Sequence, residues 1–181
     1  MKEVLICARA GQGAITTASL LGESAFRIGK YALSFPHFGA ARMGAPMNAF
    51  VRLDIKPIRL RSQIYEPDYL LVIDPTLLTA TDVLKKLKEE TIIVINKREA
   101  IPLPEIKKGK IFSIPADEIS KRIIGKPFAN TVLLGAFSAA TKEIELDALC
   151  EAIGDRFKGE IAEKNKEMAK EGYNYVCTNY R

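Results

Sequence analysis

Tryptophan is absent from this chain of 181 residues, histidine occurs once and cysteine three times. The single histidine, His37, has no nucleophile or carboxylate near it in sequence, so no triad of the serine-hydrolase kind can be assembled from a local motif. The three cysteines, Cys7, Cys150 and Cys177, are odd in number and far apart. They form neither a zinc-finger spacing nor an iron–sulfur motif, both of which need clustered thiolates. This usage fits a reduced, cytoplasmic compartment. No run approaches the roughly 18 apolar residues that a membrane-spanning helix requires. The N-terminus, Lys2-Glu3-Val4-Leu5-Ile6-Cys7, lacks the long apolar stretch of a signal peptide.

Apolar residues make up 48% of the chain and charged residues 27%, which supports an ordinary core. The formal net charge of +5 is uneven. Between Arg27 and Arg61 there are seven bases and one acid, and between Glu143 and Glu171 nine acids and five bases. The basic half would suit a phosphate-bearing ligand or an acidic partner, or it is a solvated face. Nucleic acid is not expected, because the bases are not interleaved with aromatics and no known binding motif occurs.

The pattern along the chain predicts a single α/β domain over residues 1–181. Val4–Ala8 reads as a buried strand, Gly11-Gln12-Gly13 as a turn, and Ile15, Ala18, Leu21, Ala25 and Ile28 as one face of a helix. Tyr31–Phe35 is a second strand that runs into Pro36. Residues 36–46, with two prolines and two glycines, fit no regular element. Met47–Leu53 and Pro57–Arg61, joined by Asp54-Ile55-Lys56, are expected to pair as an antiparallel hairpin. Leu70–Ile73 and Ile92–Ile95 are short and wholly apolar, as suits parallel strands covered on both faces. Ile111–Ile114 is a further strand. Helices follow over Ala116–Ile124, from Asn130 to Ala140, around Leu146–Phe157 and over about Ile161–Lys170, and Gly172–Cys177 is expected to close the chain as an extended segment. The glycines and alanines of the helix after Asn130 allow close backbone packing.

The strongest local chemical signal is Arg9-Ala10-Gly11-Gln12-Gly13, between strand and helix. Glycine permits positive φ and close approach of a ligand to the backbone. The helix N-terminus behind it favours an anion. The motif is not a full dinucleotide fingerprint, since Thr16 stands at the third glycine, and no Walker lysine follows. A tight turn against a neighbouring loop or subunit explains the same residues. Asp74 and Asn96 end strands and so face the crevice where open α/β sheets bind ligands, or they serve as caps. Arg42, between Gly39 and Gly44, carries a guanidinium suited to phosphate, carboxylate or an acid on a partner. No catalytic constellation and no metal site is read from the sequence.

Taken together these residues resemble the gamma subunit of 2-oxoacid:ferredoxin oxidoreductases of the pyruvate and branched-chain ketoacid type. The likeness rests on Arg9–Ala14, Gly29-Lys30-Tyr31, Phe35-Pro36-x-Phe38-Gly39-x-x-Arg42-x-Gly44-Ala45-Pro46, Ala49–Arg52, Pro57-Ile58-Arg59, Ile64–Asp68, Asp74-Pro75, and Asn130 with Gly135-Ala136. It departs from the family pattern at Ala8 and Ala10, where glycines are usual, and at Ala41 and Met43, where an acid and a base commonly flank the arginine. The resemblance implies a Rossmann-like, open, mostly parallel sheet with helices on both faces and an antiparallel hairpin added. It implies a subunit, inactive alone, of a complex that converts a 2-oxoacid and coenzyme A to acyl-CoA and carbon dioxide while reducing ferredoxin. The cofactors would be thiamine diphosphate, Mg2+ and 4Fe-4S clusters held by other parts of the complex, none of them by this chain alone. The partners would be alpha, beta and delta subunits, and the isolated chain could form a homodimer. Arg9, Gly11, Gln12, Gly13 and Arg42 would face coenzyme A or a subunit interface. A stand-alone nucleotide- or CoA-binding module is the alternative, and an indolepyruvate- or 2-oxoglutarate-acting relative a third reading.

Overall fold

A computed structural model describes residues 1–37 and 43–180. Six strands form one sheet: β1 Lys2–Arg9, β2 Tyr31–His37, β3 Pro46–Asp54, β4 Tyr69–Val72, β5 Ile92–Asn96 and β6 Lys110–Ile114. Their order is β2-β3-β1-β4-β5-β6. β1, β4, β5 and β6 run parallel, and β3 is antiparallel to both β1 and β2. The helices are α1 Ala14–Arg27, α2 Leu77–Ala80, α3 Ala116–Ile124, α4 Asn130–Thr141, α5 Leu146–Arg156 and α6 Gly159–Asn179. A 3-10 segment, Asp82–Lys86, follows α2.

The placement of the helices follows from handedness. A crossover between parallel strands is right-handed, so crossovers that move in opposite directions along a sheet put their helices on opposite faces. From β1 through α1 the chain moves one way to β2, and from β4 through α2 it moves the other way to β5. Accordingly α1 joins the larger core, with Val4, Ile6, Leu20, Leu21, Leu71, Val94, Phe137 and Ile153. The α2 segment joins the smaller core on the other face, with Leu5, Leu70, Leu77, Val83 and Ile95. The alternation of β1 between the two cores is the period-2 signature of a strand buried on both sides. The two faces are covered unequally, because α3 to α6 return over the α1 side while the other side carries only short helical pieces and loop residues such as Ile64 and Leu103.

The expected hairpin is corrected. β3 is extended as read, but its partners are β2 and β1, with Tyr31 opposite Asp54 and Lys2 opposite Leu53. Residues 57–61 are not a strand. Arg52, 1% exposed, explains what holds them instead. Its guanidinium donates to the carbonyl oxygens of Leu60 and Ser62 at 3.1 and 2.7 Å, and its Nε to Glu3 at 2.8 Å. A buried guanidinium with five donors organises a loop that no ladder serves.

The second correction is at the C-terminal end. Gly172–Cys177 is helical, as part of a continuous α6. Gly172 reads as a helix breaker, but packing is the reason for it. A Cβ at Gly172 would overlap the carbonyl oxygen of Val132 on α4, and a Cβ at Gly135 would overlap the carbonyl oxygen of Ala169 on α6. The small residues of α4 therefore do permit close packing, and α6 is the partner. An alanine at an ordinary helix site gains about 1 kcal/mol over glycine. Here Gly172→Ala is expected to destabilise by about 3 kcal/mol through overpacking, against that propensity. Urea unfolding of the purified variant measures the sign.

Candidate functional site

The crevice lies where the chain leaves β1 toward one side of the sheet and β4 leads to the other. Ligands of open α/β sheets bind outside the carboxyl ends of strands at such a switch point. Gly11 and Gly13 have φ of 97° and 84°, in the left-handed region. Ala8 and Ala10 do not, since among the described residues Lys142 is the one non-glycine with positive φ. Alanine at these two positions therefore meets no backbone objection. The turn is closed by Gln12 N donating to Arg9 O at 3.0 Å and Arg9 N to Gln12 Oε1 at 2.8 Å. Ala10 N donates to Ala45 O at 2.9 Å and Gly44 N to Ala10 O at 3.2 Å, so the turn is fastened to the start of β3.

Asp74, just beyond β4, is the hub. Its side chain is 4% exposed. Oδ1 accepts from the Thr76 hydroxyl at 2.6 Å and the Thr76 amide at 3.1 Å, and Oδ2 accepts from Gln12 Nε2 at 2.7 Å. Arg9 Nε stands 3.4 Å and an Arg98 nitrogen 3.7 Å from Oδ2. Burial pushes this carboxyl up, but hydrogen bonds from Thr76 and Gln12 and the nearby Arg98 charge more than offset it, so its pKa lies below the ordinary 3.8. Arg9 also donates to Thr76 Oγ1 at 2.8 Å and Gly44 O at 3.1 Å. Arg98 donates to Asp117 at 2.6 Å, and the other Asp117 oxygen is buried with no partner among the described residues. Asn96 donates to Ile73 O at 3.2 Å and accepts from Asp117 N at 3.3 Å, which braces the ends of β4 and β5 and the start of α3.

On the other side of the turn is a cavity of about 450 Å3. Gly11, Gly13 and Thr16 at the start of α1 form one wall, Lys126 and Phe128 a second, and Lys164 on α6 a third. Phe128 and Ile161 are exposed there. The start of α1 has no side-chain cap, and Gly13 lies against Asn130, whose Nδ2 would lie 3.1 Å from a Cβ at that position. An uncapped helix start with two lysines and an apolar wall can take a ligand that joins an anion to an apolar arm.

Of the sequence-predicted residues, Arg9, Gly11, Gln12 and Gly13 meet in this one place. Arg42, with Phe38, Gly39 and Ala41 of its motif, lies outside the described residues. Asp74 and Asn96 are both in the crevice, and each acts as a brace. The reading missed Thr76, Arg98 and Asp117, although Thr76 and Arg98 follow strand ends by a few residues and the same rule could have found them. Three of the six described bases between Arg27 and Arg61 are spent within the chain: Arg27 pairs with Glu151 and Asp155, Lys30 with Glu143, and Arg52 with Glu3. Lys56, Arg59 and Arg61 are exposed. Burial pushes the Cys7 thiol up to about 12, which leaves it an unreactive core residue. Among the described residues no group of three histidine, cysteine or acidic side chains is placed to hold a metal ion, and no helix is long and apolar enough to cross a membrane.

Residues 3–175 match the pyruvate ferredoxin/flavodoxin oxidoreductase family. The chain belongs to this family. It is 46% identical over 177 residues to the common gamma subunit of the pyruvate/ketoisovalerate oxidoreductases of Pyrococcus furiosus, covering 96% of each chain. It is 41% identical over 181 residues to pyruvate synthase subunit PorC of Methanocaldococcus jannaschii, covering 99% of each. The solved pyruvate oxidoreductase subunit PORC of Thermotoga maritima is 32% identical, with a TM-score of 0.81 over 96% of this chain and 95% of that one. A keto/oxoacid ferredoxin oxidoreductase gamma subunit from Geobacter sulfurreducens, 20% identical, shares the fold with a TM-score of 0.82 over 98% and 99% of the two chains. The chain is thus a gamma-type family member over essentially its whole length, and the stand-alone binding module is not the reading these relatives match.

The Asp74 hub makes a pH-dependent prediction. A carboxyl with a depressed folded pKa stabilises the fold above its ordinary pKa, and that contribution is lost as pH falls. Asp74→Asn is expected to cost about 2 kcal/mol at pH 7, where it leaves charged donors unmatched. The gap to the unaltered chain should close below about pH 4 as Asp74 itself protonates. Denaturant unfolding of both proteins across pH 3–8 measures it.

Proposed function

We propose that this chain works as the gamma subunit of a 2-oxoacid:ferredoxin oxidoreductase that uses pyruvate or a branched-chain ketoacid, and that within the complex it lines the side by which coenzyme A enters. The full-length match to gamma subunits of pyruvate and ketoisovalerate oxidoreductases carries the first part. The cavity beside the Gly11–Gly13 turn supports the second. Coenzyme A joins phosphates to a long, weakly polar pantetheine arm. The start of α1, Lys126 and Lys164 suit the phosphates, and Phe128 and Ile161 suit the arm.

The division of labour follows from chemistry. Among the described residues no acid–base pair or nucleophile converges in the crevice, and the buried Asp74 carboxylate there is saturated by its own donors. The decarboxylation is assigned to thiamine diphosphate and Mg2+ on alpha and beta subunits, and electron transfer to 4Fe-4S clusters in other parts of the complex, including a delta-type subunit, with ferredoxin as acceptor. The site residues proposed here are Arg9, Gly11, Gln12, Gly13 and Arg42. Arg9 and Gln12 act by holding the turn open against Asp74, and the glycines by letting a ligand approach the backbone. The complex is placed in the cytoplasm.

Tagged chain recovered anaerobically from its native host is expected to bring down alpha-, beta- and delta-type subunits with coenzyme A-dependent ferredoxin reduction. The preferred acid in that assay identifies the substrate. Recovery of the chain without partners from a host expressing them would overturn the proposal. In the reconstituted complex, Lys126→Glu with Lys164→Glu is expected to raise the KM for coenzyme A about tenfold, equivalent to about 1.4 kcal/mol, with the KM for the 2-oxoacid unchanged. An unchanged KM for coenzyme A would remove the cavity from the site.

A further inference from the structure

The two edges of the sheet are treated differently. At β6 the edge is covered at Ser113: the Tyr180 hydroxyl accepts from Ser113 N at 2.7 Å and donates to Ser113 O at 3.0 Å. β2, at the other end, receives no backbone hydrogen bond on its outer side among the described residues. Pro36 lies in β2, and proline in a ladder belongs on the solvent side of an edge strand. The alternation of the strand then turns the backbone groups of Ala32 and Ser34 outward as well. An open row of this kind is a template for another strand.

Beside this edge lies a cavity of about 590 Å3, lined by Ser19, Gly22, Glu23, Phe26 and Arg27 of α1 and by Ala32 and Ser34 of β2. Phe26 is 73% exposed. Gly22 stands over β2, since a Cβ on it would lie 3.7 Å from both the Ala32 Cβ and the Ser34 Oγ. α1 therefore rests over β2 and β3, at the margin of the sheet.

We propose that this margin is an isologous interface with a second copy of the chain, in which β2 pairs antiparallel with β2 and α1 packs on α1. A two-fold axis normal to the sheet keeps both α1 helices on the same face. Strands lie about 4.8 Å apart, so two helices each seated over a β2–β3 seam fall about 10 Å apart across the new pair. That is the packing distance of two helices with small residues between them. Ala32 of one copy, set opposite Ser34 of the other, exchanges N–H and C=O bonds with it, and Gly22 then lies near the axis. Antiparallel helices crossing at Gly22 carry Phe26 of each copy over Ser19 of the other and into the cavity. A lone strand added to β2 would satisfy the backbone and leave Phe26 in water. A second copy satisfies both.

Sedimentation of the purified full-length chain tests the proposal. The expected result is a dimer that Phe26→Glu weakens about thirtyfold or more, as loss of a buried aromatic anchor does. Ser34→Pro removes an outward donor and is expected to weaken it similarly. Tyr65→Glu, at a surface site beside Lys86 and 59% exposed, should leave it intact. Circular dichroism establishes that each variant is folded; Phe26→Glu alters only an exposed side chain and decides alone if Ser34→Pro does not fold. A chain monomeric at the highest concentration reached, or a dimer indifferent to Phe26→Glu, overturns the interface.

Discussion

One buried carboxylate holds the working end of this molecule together. Asp74 lies past the end of β4 and takes hydrogen bonds from its own turn through Thr76 and from the β1 turn through Gln12, with the guanidinium groups of Arg9 and Arg98 beside it. A charge this buried is tolerable only when its lone pairs are filled. The constraint runs both ways, since filling them fixes where Gln12 and Arg9 stand. With those residues fixed, Gly11 and Gly13 are held in their left-handed conformations and the start of α1 is presented to the cavity. Arg9 extends the same order to the carbonyl of Gly44, just before β3.

Charge is distributed by the same logic across the rest of the chain. Its basic first half and acidic last third look like two surfaces awaiting different partners. Part of each is consumed by the other, where Arg27 and Lys30 at the end of α1 meet Glu143, Glu151 and Asp155 before and within α5. Arg52 is drawn inside the fold altogether. The cations that remain outward include Lys126 beside the turn and Arg59 and Arg61 in the loop that Arg52 anchors. An excess of one sign in a stretch of sequence measures pairing demand as well as partner preference.

The legibility of the sequence followed the range of the forces involved. Local patterns were sufficient for β1, the glycine turn, α1, the apolar strands β4 and β5, and the helices α3 to α5, because periodicity and turn chemistry act over a few residues. They failed where a distant group decided the conformation. Pro57–Arg61 has the alternation of a strand, yet Arg52 claims the carbonyls of Leu60 and Ser62 at its end. Gly172 has the look of a terminator, yet α4 needs a residue without a side chain there. In the site, Arg9 to Gly13 could be read from their own motif. Thr76 and Arg98 were within reach of the strand-end rule alone, and Asp117 of no local rule, since what unites them with Asp74 is a meeting of strand ends from three parts of the chain.

The crossing of α4 and α6 carries a consequence for how this family of chains can vary. Gly135 faces the backbone of Ala169, and Gly172 faces the backbone of Val132. Neither glycine faces the other's side-chain position, so enlarging one cannot be compensated by any change at its counterpart. Ordinary core neighbours drift together, a larger residue here answered by a smaller one there. These two positions have no such partner to trade volume with. Across relatives that keep the crossing they should stay glycine independently, leaving no statistical trace of covariation even though they belong to one contact.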